Sequence, residues 1–201
     1  RRQDMEGVSS ITSDNFAGGR KVGEYLITCG HRRIGYIAGW EGASTQRDRE
    51  AGLMAALTTH DIPLFAREVG NFRKEGAIEA TRAMFDVPAN QRPDAVFVAN
   101  DHMAFFVLDT LRHELGLKVP DDVAVVGYDD VPPAAWPAYD LTTVRQRSNT
   151  MVQEPVDTFI RQIEEPEDFR PRQVAIDGPL IIRGSSHSLP SKGKAQTNAG
   201  I

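Results

Sequence analysis

Short apolar runs alternate with amphipathic stretches along most of the chain, and each run stops abruptly at polar side chains. Asp14 precedes a segment in which Gly18, Val22, Tyr25, Leu26 and Cys29 recur at helical spacing and Gly30 follows, which predicts a capped amphipathic helix closed by a glycine. Residues 33–39 then read as a strand, 45–59 as a helix, 65–69 as a strand and 74–85 as a helix. The rhythm continues with a strand over 95–99, a helix over 101–115 closed by Gly116, and a strand over 123–127. Strands alternating with helices need crossover connections, so the expected fold is α/β with a doubly wound parallel sheet. The unbroken apolar character of 95–99 and 123–126 suits strands covered on both faces.

Beyond Asp130 the pattern changes. Pro132, Pro133 and Pro137 forbid a regular helix, and 141–146 reads as a short strand. An amphipathic helix over 149–163 carries Val152, Val156, Phe159, Ile160 and Ile163 on one side, with Pro155 kinking it or lying near its start. A last strand is expected over 173–183, and 184–201, rich in Ser, Gly, Lys and Asn, reads as a disordered tail. The helix over 149–163 needs a surface to cover, and the first sheet is already clothed by its own helices. A second lobe would supply it, with crossings near Ser13, Gln146 and Ile176. The expected organisation is one lobe over 14–146, remnants of another over 1–13 and 147–172, a crossing strand over 173–183 and the tail. The chain opens on Arg1 rather than methionine, which suggests a start partway through a longer protein.

Composition narrows the chemistry. At 201 residues with 40% hydrophobic side chains, the chain can build one substantial core or two modest lobes. A formal charge of -5 gives no basic footprint for nucleic acid. Cys29 is the one cysteine and sits on an apolar helix face, so it reads as a buried thiol in a reducing compartment. No apolar run approaches the roughly 20 residues of a membrane span, and no secretion leader opens the chain. The cytoplasm is the expected location.

In an open parallel sheet the carboxyl ends of the strands share one rim, where ligands bind. The loops delivered there span 39–49, 70–72, 100–102 and 128–130, with Gln146 across the linker. They offer the guanidinium groups of Arg47 and Arg49, the amides of Asn100 and Gln146, the carboxylates of Asp101, Asp129 and Asp130, and the rings of Trp40, Phe72 and Trp136. Arg presents two donors in a fixed fork, Asp accepts two, and an aromatic face packs on the C–H side of a sugar ring, so the inventory matches a polyol. Nucleobases or small amides could be held by the same groups. Blander readings stand beside this one: Asp101 as a helix cap, Asp130 as a turn cap, Trp136 as a packing or interface residue. Arg47 and Arg49 fall near a helix start, where positive charge opposes the dipole and so points to function. His102 lacks partners at ligand spacing, so no metal site is expected. No nucleophile elbow, zinc signature, P-loop or dinucleotide fingerprint occurs, and adjacent Asp129 and Asp130 should point apart, against a shared proton. Binding without catalysis, and without a cofactor, is the expectation.

The segments YLITCGHRRIGYIAG, STQRDREAGL, PDAVFVANDHMAF, LGLKVPDDVAVVGYDD and LTTVRQ resemble consecutive signature blocks of the LacI/GalR family of bacterial transcription regulators, from about Val8 to Ser186. The resemblance implies a two-lobed effector domain of the type I periplasmic-binding-protein-like fold, of which this chain is the C-terminal lobe plus return segments of the N-terminal lobe. It also implies a helix-turn-helix head that reads operator DNA and lies outside this chain, a homodimer, and no membrane partner. Carried over residue by residue, it makes Arg49 of REAGL the effector clamp and sets Asn100 of AND, Asp129 of GYDD and Gln146 of LTTVRQ around the effector. Phe72 matches an aromatic wall, and Thr45 and Asp14 match positions that touch the effector in some members. Phe106 stands where the family has glycine and Arg147 where it commonly has proline.

Three functions compete. The first is the effector-binding and dimerisation part of a sugar-responsive repressor, in which a small sugar shifts the lobes and hence operator binding. The second is a periplasmic sugar-binding protein of an ABC importer, which a secretion leader would favour. The third is an enzyme using Asp129 as base, for which neither nucleophile nor cofactor loop is present.

Overall fold

In the computed structural model, residues 10–147 and 173–187 are described. The helix expected over 149–163 lies outside them. The elements in chain order are β1 (Ser10–Ser13), α1 (Asn15–Thr28), β2 (Ile34–Ala38), α2 (Ser44–Thr59), β3 (Ala66–Val69) and α3 (Lys74–Phe85). They continue with β4 (Ala95–Val98), α4 (Asp101–Asp109), β5 (Ala124–Asp129), β6 (Thr142–Arg145), β7 (Gln173–Ile176) and β8 (Leu180–Ile181). A π turn, Thr110–Glu114, prolongs α4, and the proline-rich stretch after β5 forms a single 3-10 turn, Pro132–Ala135.

The six-stranded sheet has the order β3-β2-β4-β5-β6-β8, parallel throughout except for β8, which runs antiparallel on β6. The expected doubly wound architecture is therefore present, with one antiparallel edge. Strand order reverses between β2 and β4, the place where an open α/β sheet leaves a crevice at its carboxyl rim.

Side-chain alternation explains how each face is covered. Tyr36, Phe97 and Tyr128 project to one face of β2, β4 and β5, fully buried or nearly so, with ring centroids 5.3 Å and 6.5 Å apart in succession. The Tyr36 hydroxyl donates to Gln46 Oε1 of α2 at 2.8 Å, which places α1 and α2 over that face. On the other face, a Cβ at Gly35 would meet Met84 of α3, and one at Gly127 would meet Asp101 of α4. The Asp14 carboxylate accepts from Ala17 N–H at 2.9 Å and starts α1, while Gly30, at φ 94°, ends it as expected. Helices α1 and α2 cross closely enough that a Cβ on Gly19 would lie 1.9 Å from the Arg49 carbonyl oxygen, and one on Gly52 would lie 2.0 Å from that of Phe16.

Two expectations are corrected. The strand read over 173–183 is two strands: β7 pairs in parallel with β1 in a separate two-stranded sheet, and β8 joins the main sheet after the break at Gly178-Pro179. The tail read from residue 184 does not begin there, because Ser185 and Ser186 are buried. Ser185 Oγ donates to Val125 O at 2.6 Å and accepts from Thr142 N–H at 2.8 Å, and Ser186 Oγ lies 2.7 Å from Thr142 Oγ1. Their hydroxyls find partners at the sheet, so polar composition here does not mean disorder.

Candidate functional site

Arg49 is the centre of the rim. It sits one turn into α2, its side chain only 6% exposed, and reaches across the strand reversal. Its Nε donates to Asn15 Oδ1 at 2.9 Å, Nη1 to the Ala99 carbonyl just past β4 at 2.6 Å, and Nη2 to Asp129 Oδ1 at 3.3 Å. The guanidinium carbon lies 3.7 Å from the centroid of the Tyr128 ring, a cation–π stack in a desolvated setting. Burial raises the pKa of the Tyr128 phenol to about 12, against the opposing pull of Arg49.

Asp129 closes β5 with φ 120° and shares its Oδ1 between Arg49 and the side-chain amide of Gln146. Burial pushes its pKa upward, while Arg49 and Gln146 act in the opposite direction. Gln146 follows β6; its Oε1 accepts from the Ser13 hydroxyl at 3.0 Å and its backbone N–H donates to Asp129 O at 3.3 Å. Arg49, Asp129 and Gln146 are thus one hydrogen-bonded group.

The other candidates take varied places. Asn100 is the N-cap of α4, its Oδ1 accepting from Met103 N–H at 3.0 Å, so its amide N–H₂ is what remains to serve a guest. The cap role considered for Asp101 belongs to Asn100. Asp101 is instead fully buried, accepting from the Thr143 hydroxyl at 2.7 Å and Val131 N–H at 3.0 Å. Thr45 lies one turn before Arg49 and on its side of α2. Asp14 caps α1, and its backbone N–H donates to Ile176 O at 2.9 Å. Phe72, at φ 57°, lays its ring against Gly39 just past the end of β2.

Asp129 and Asp130 do point apart: Asp130 pairs with Arg145 and, at 2.7 Å, with Arg183. The turn-cap reading of Asp130 gives way to this pairing. Arg47 is exposed, as are Trp40 and Trp136, and Phe106 is half-buried with Lys74 Nζ 5.6 Å from its ring. Among the described residues no cluster of His, Cys, Asp and Glu could hold a metal ion. Two members of the group were missed from sequence. Tyr128 falls in the rim loop read over 128–130 but is left out of the rings counted there; Asn15 sits beside a stronger signal, the Asp14 cap. An Asn in the first turn of a helix, where it is a middling helix former, is the hint that could have found it.

The sequence model of the periplasmic binding protein-like domain matches residues 24–186. The chain belongs to that family. This periplasmic binding protein-like domain is 34% identical over 185 residues to the ribose operon repressor of Escherichia coli strain K12, covering 90% of the chain and 55% of the repressor. It is 35% identical over 184 residues to the HTH-type transcriptional regulator CelR of Thermobifida fusca, covering 90% of the chain and 52% of CelR. The domain therefore spans about half the length of the curated relatives it matches. Among solved structures, a LacI transcriptional regulator from a Rhodococcus species superposes with a TM-score of 0.84 at 29% identity, covering 94% of this chain and 68% of that one. A complex of CelR with cellobiose superposes with a TM-score of 0.80 at 34% identity, covering 90% and 54%. The resemblance to LacI/GalR regulators read from the sequence blocks is borne out, and the relatives are regulators of transcription rather than enzymes.

Proposed function

We propose that this domain is the effector-binding and dimerisation part of a LacI-type transcription regulator, holding a small sugar or related polyol that allosterically controls operator binding. The observation that carries the reading is the Arg49–Asp129 group at the strand reversal, with Gln146 beside it. Arg49 has five N–H donors, of which the protein uses three. The guest would therefore meet leftover guanidinium donors, the Asn100 amide and the second oxygen of Asp129. A hydroxyl both donates and accepts, and vicinal hydroxyls match the spacing of such forks. Thr45, Asp14 and the Phe72 ring would border the guest.

Relatives whose names and complexes point to ribose and cellobiose support a neutral sugar, and that one is an operon repressor and the other an HTH-type transcriptional regulator favours a regulator over an importer component. In this reading residues 14–146 form one lobe of a hinged pair, with 1–13 and 147–172 belonging to the other. The regulator is cytoplasmic, pairs as a homodimer, and meets operator DNA through a head outside this chain. No described helix is long and apolar enough to cross a membrane. Effector and operator affinities are then linked reciprocally, typically by on the order of 1–3 kcal/mol.

A thermal-shift panel of neutral sugars and nucleosides on the intact protein, followed by calorimetry, tests the proposal. Arg49→Ala should weaken the binding sugar more than about tenfold through loss of charged hydrogen bonds. A folded Arg49→Ala variant with an unchanged dissociation constant overturns it.

A further inference from the structure

Asn15 is 5% exposed, and both ends of its amide are committed. Oδ1 accepts from Arg49 Nε at 2.9 Å, and Nδ2 donates to the Ser13 carbonyl at 3.0 Å. Each bond fixes the amide in the same orientation, since a flipped group would set N–H against N–H and oxygen against oxygen.

From Ser13 the bonds return to the site. The Ser13 hydroxyl donates to Gln146 Oε1, Gln146 donates to Asp129 Oδ1, and Arg49 Nη2 donates to that same oxygen. Asn15, Arg49, Asp129, Gln146 and Ser13 thereby close a ring. Two of its members are where the chain passes between the main sheet and the separate β1–β7 pair or the linker: Ser13 ends β1, and Gln146 follows β6. A guanidinium on a flexible stem acts as a clamp only if its plane is fixed before a guest arrives, because ordering it during binding subtracts from affinity. The Ala99 carbonyl and Asp129 hold the two outer nitrogens and Asn15 holds Nε, so each of the three nitrogens that define the plane is tied.

We propose that Asn15 is the positioning residue of this site, aiming the Arg49 guanidinium and anchoring that aim to the end of β1. The proposal rests on Arg49 being the effector clamp for its functional consequence, though not for its geometry. Asn15 itself need touch no guest.

The test follows the Arg49 Nε–H resonance by ¹⁵N NMR in the intact, ligand-free protein, assigned by its loss in Arg49→Lys. Solvent exchange of this proton is slow in the parent protein, at least about tenfold faster in Asn15→Ala, and slow again in Asn15→Asp, which keeps an oxygen facing Nε. Calorimetry with D-ribose and with cellobiose runs alongside. Asn15→Ala raises the dissociation constant of whichever sugar the parent binds by about tenfold, a 1.4 kcal/mol effect, and Asn15→Asp recovers most of it. Nε–H exchange unchanged in folded Asn15→Ala overturns the positioning role, whatever the sugars do. If exchange accelerates and is rescued while the parent binds neither sugar, positioning stands and the choice of these sugars falls. Accelerated exchange with sugar affinity unchanged shows that the aim of Arg49 is immaterial to binding, and overturns the proposal.

Discussion

Asp101 ties three strand ends together from beneath the rim, and its titration can be isolated by one substitution. The carboxyl is fully buried, accepting from Thr143 Oγ1 of β6 and from Val131 N–H after β5. Burial is the main cause that lifts its pKa to about 7; the two hydrogen bonds pull it down, and the nearby carboxylates Asp129 and Asp130 push it up. An unfolded Asp titrates near 3.9. Since the folded value is raised, the folded chain binds the proton more tightly than the unfolded chain. The resulting stabilisation is fully present below about pH 4 and is lost as pH rises through about 7. The difference between the two values is worth about 4 kcal/mol, of which roughly 2–3 kcal/mol is lost between about pH 5 and pH 8. Asp101→Asn mimics the neutral acid: its oxygen can accept from Val131 N–H while its N–H₂ donates to the Thr143 hydroxyl. Urea denaturation of both proteins across this range isolates the effect, because other titrations are common to both. The parent should lose roughly 2–3 kcal/mol more than the variant between about pH 5 and pH 8, at equal m-values. Parallel stability–pH profiles would mean that the carboxyl is solvated or ionised throughout, and would refute the argument.

Two further substitutions test the packing around the site. Gly19→Ala gains about 1 kcal/mol of helix propensity, but its methyl would lie 1.9 Å from the Arg49 carbonyl oxygen in the α1–α2 crossing. The clash should win, with a net loss of about 1–3 kcal/mol in thermal or urea unfolding, and unchanged or increased stability would show that the helices do not cross this closely. Ser185→Ala removes the acceptor of Thr142 N–H and the donor to Val125 O, both buried, and should cost about 1–3 kcal/mol by urea denaturation. No loss of stability would mean that this segment does not dock on the sheet in solution.

Where the signal was local, the sequence was enough. Helix α3 occupies the residues read for it, and α1 begins at the Asp14 cap and ends at Gly30, because spacing and end signals lie within the segment itself. Hydrophobicity stops at Gly127 and sets the expected end of β5 there, but pairing with β6 carries the strand on to Asp129, opposite Arg145. The stretch 173–183 alternates like one strand, and only the partners show that it serves two sheets. At the site, Arg49, Asp129 and Gln146 could be grouped in advance since strand ends in a parallel sheet share a rim. The contacts of Asn15 and Tyr128 with Arg49 could not, because they depend on where α1 and β5 meet α2 in space.

The same residues serve fold and site, and this governs how variants here must be interpreted. Arg49 neutralises Asp129, satisfies the Ala99 carbonyl and Asn15, and fills the space over Tyr128. Removing it leaves the half-buried Asp129 carboxylate without its counter-charge, held by Gln146 alone, and leaves the Ala99 carbonyl and Asn15 Oδ1 without this donor, a penalty that falls on the ligand-free protein before any guest is added. Asn100 and Asp14 carry the same double duty, since each side-chain oxygen starts a helix at the rim. Loss of affinity in an Arg49 variant therefore has two separable sources, a missing contact and a loosened rim. The Asn15 variants help to separate them: they leave the guanidinium in place and alter its support through Nε, together with the Asn15 bond to the Ser13 carbonyl.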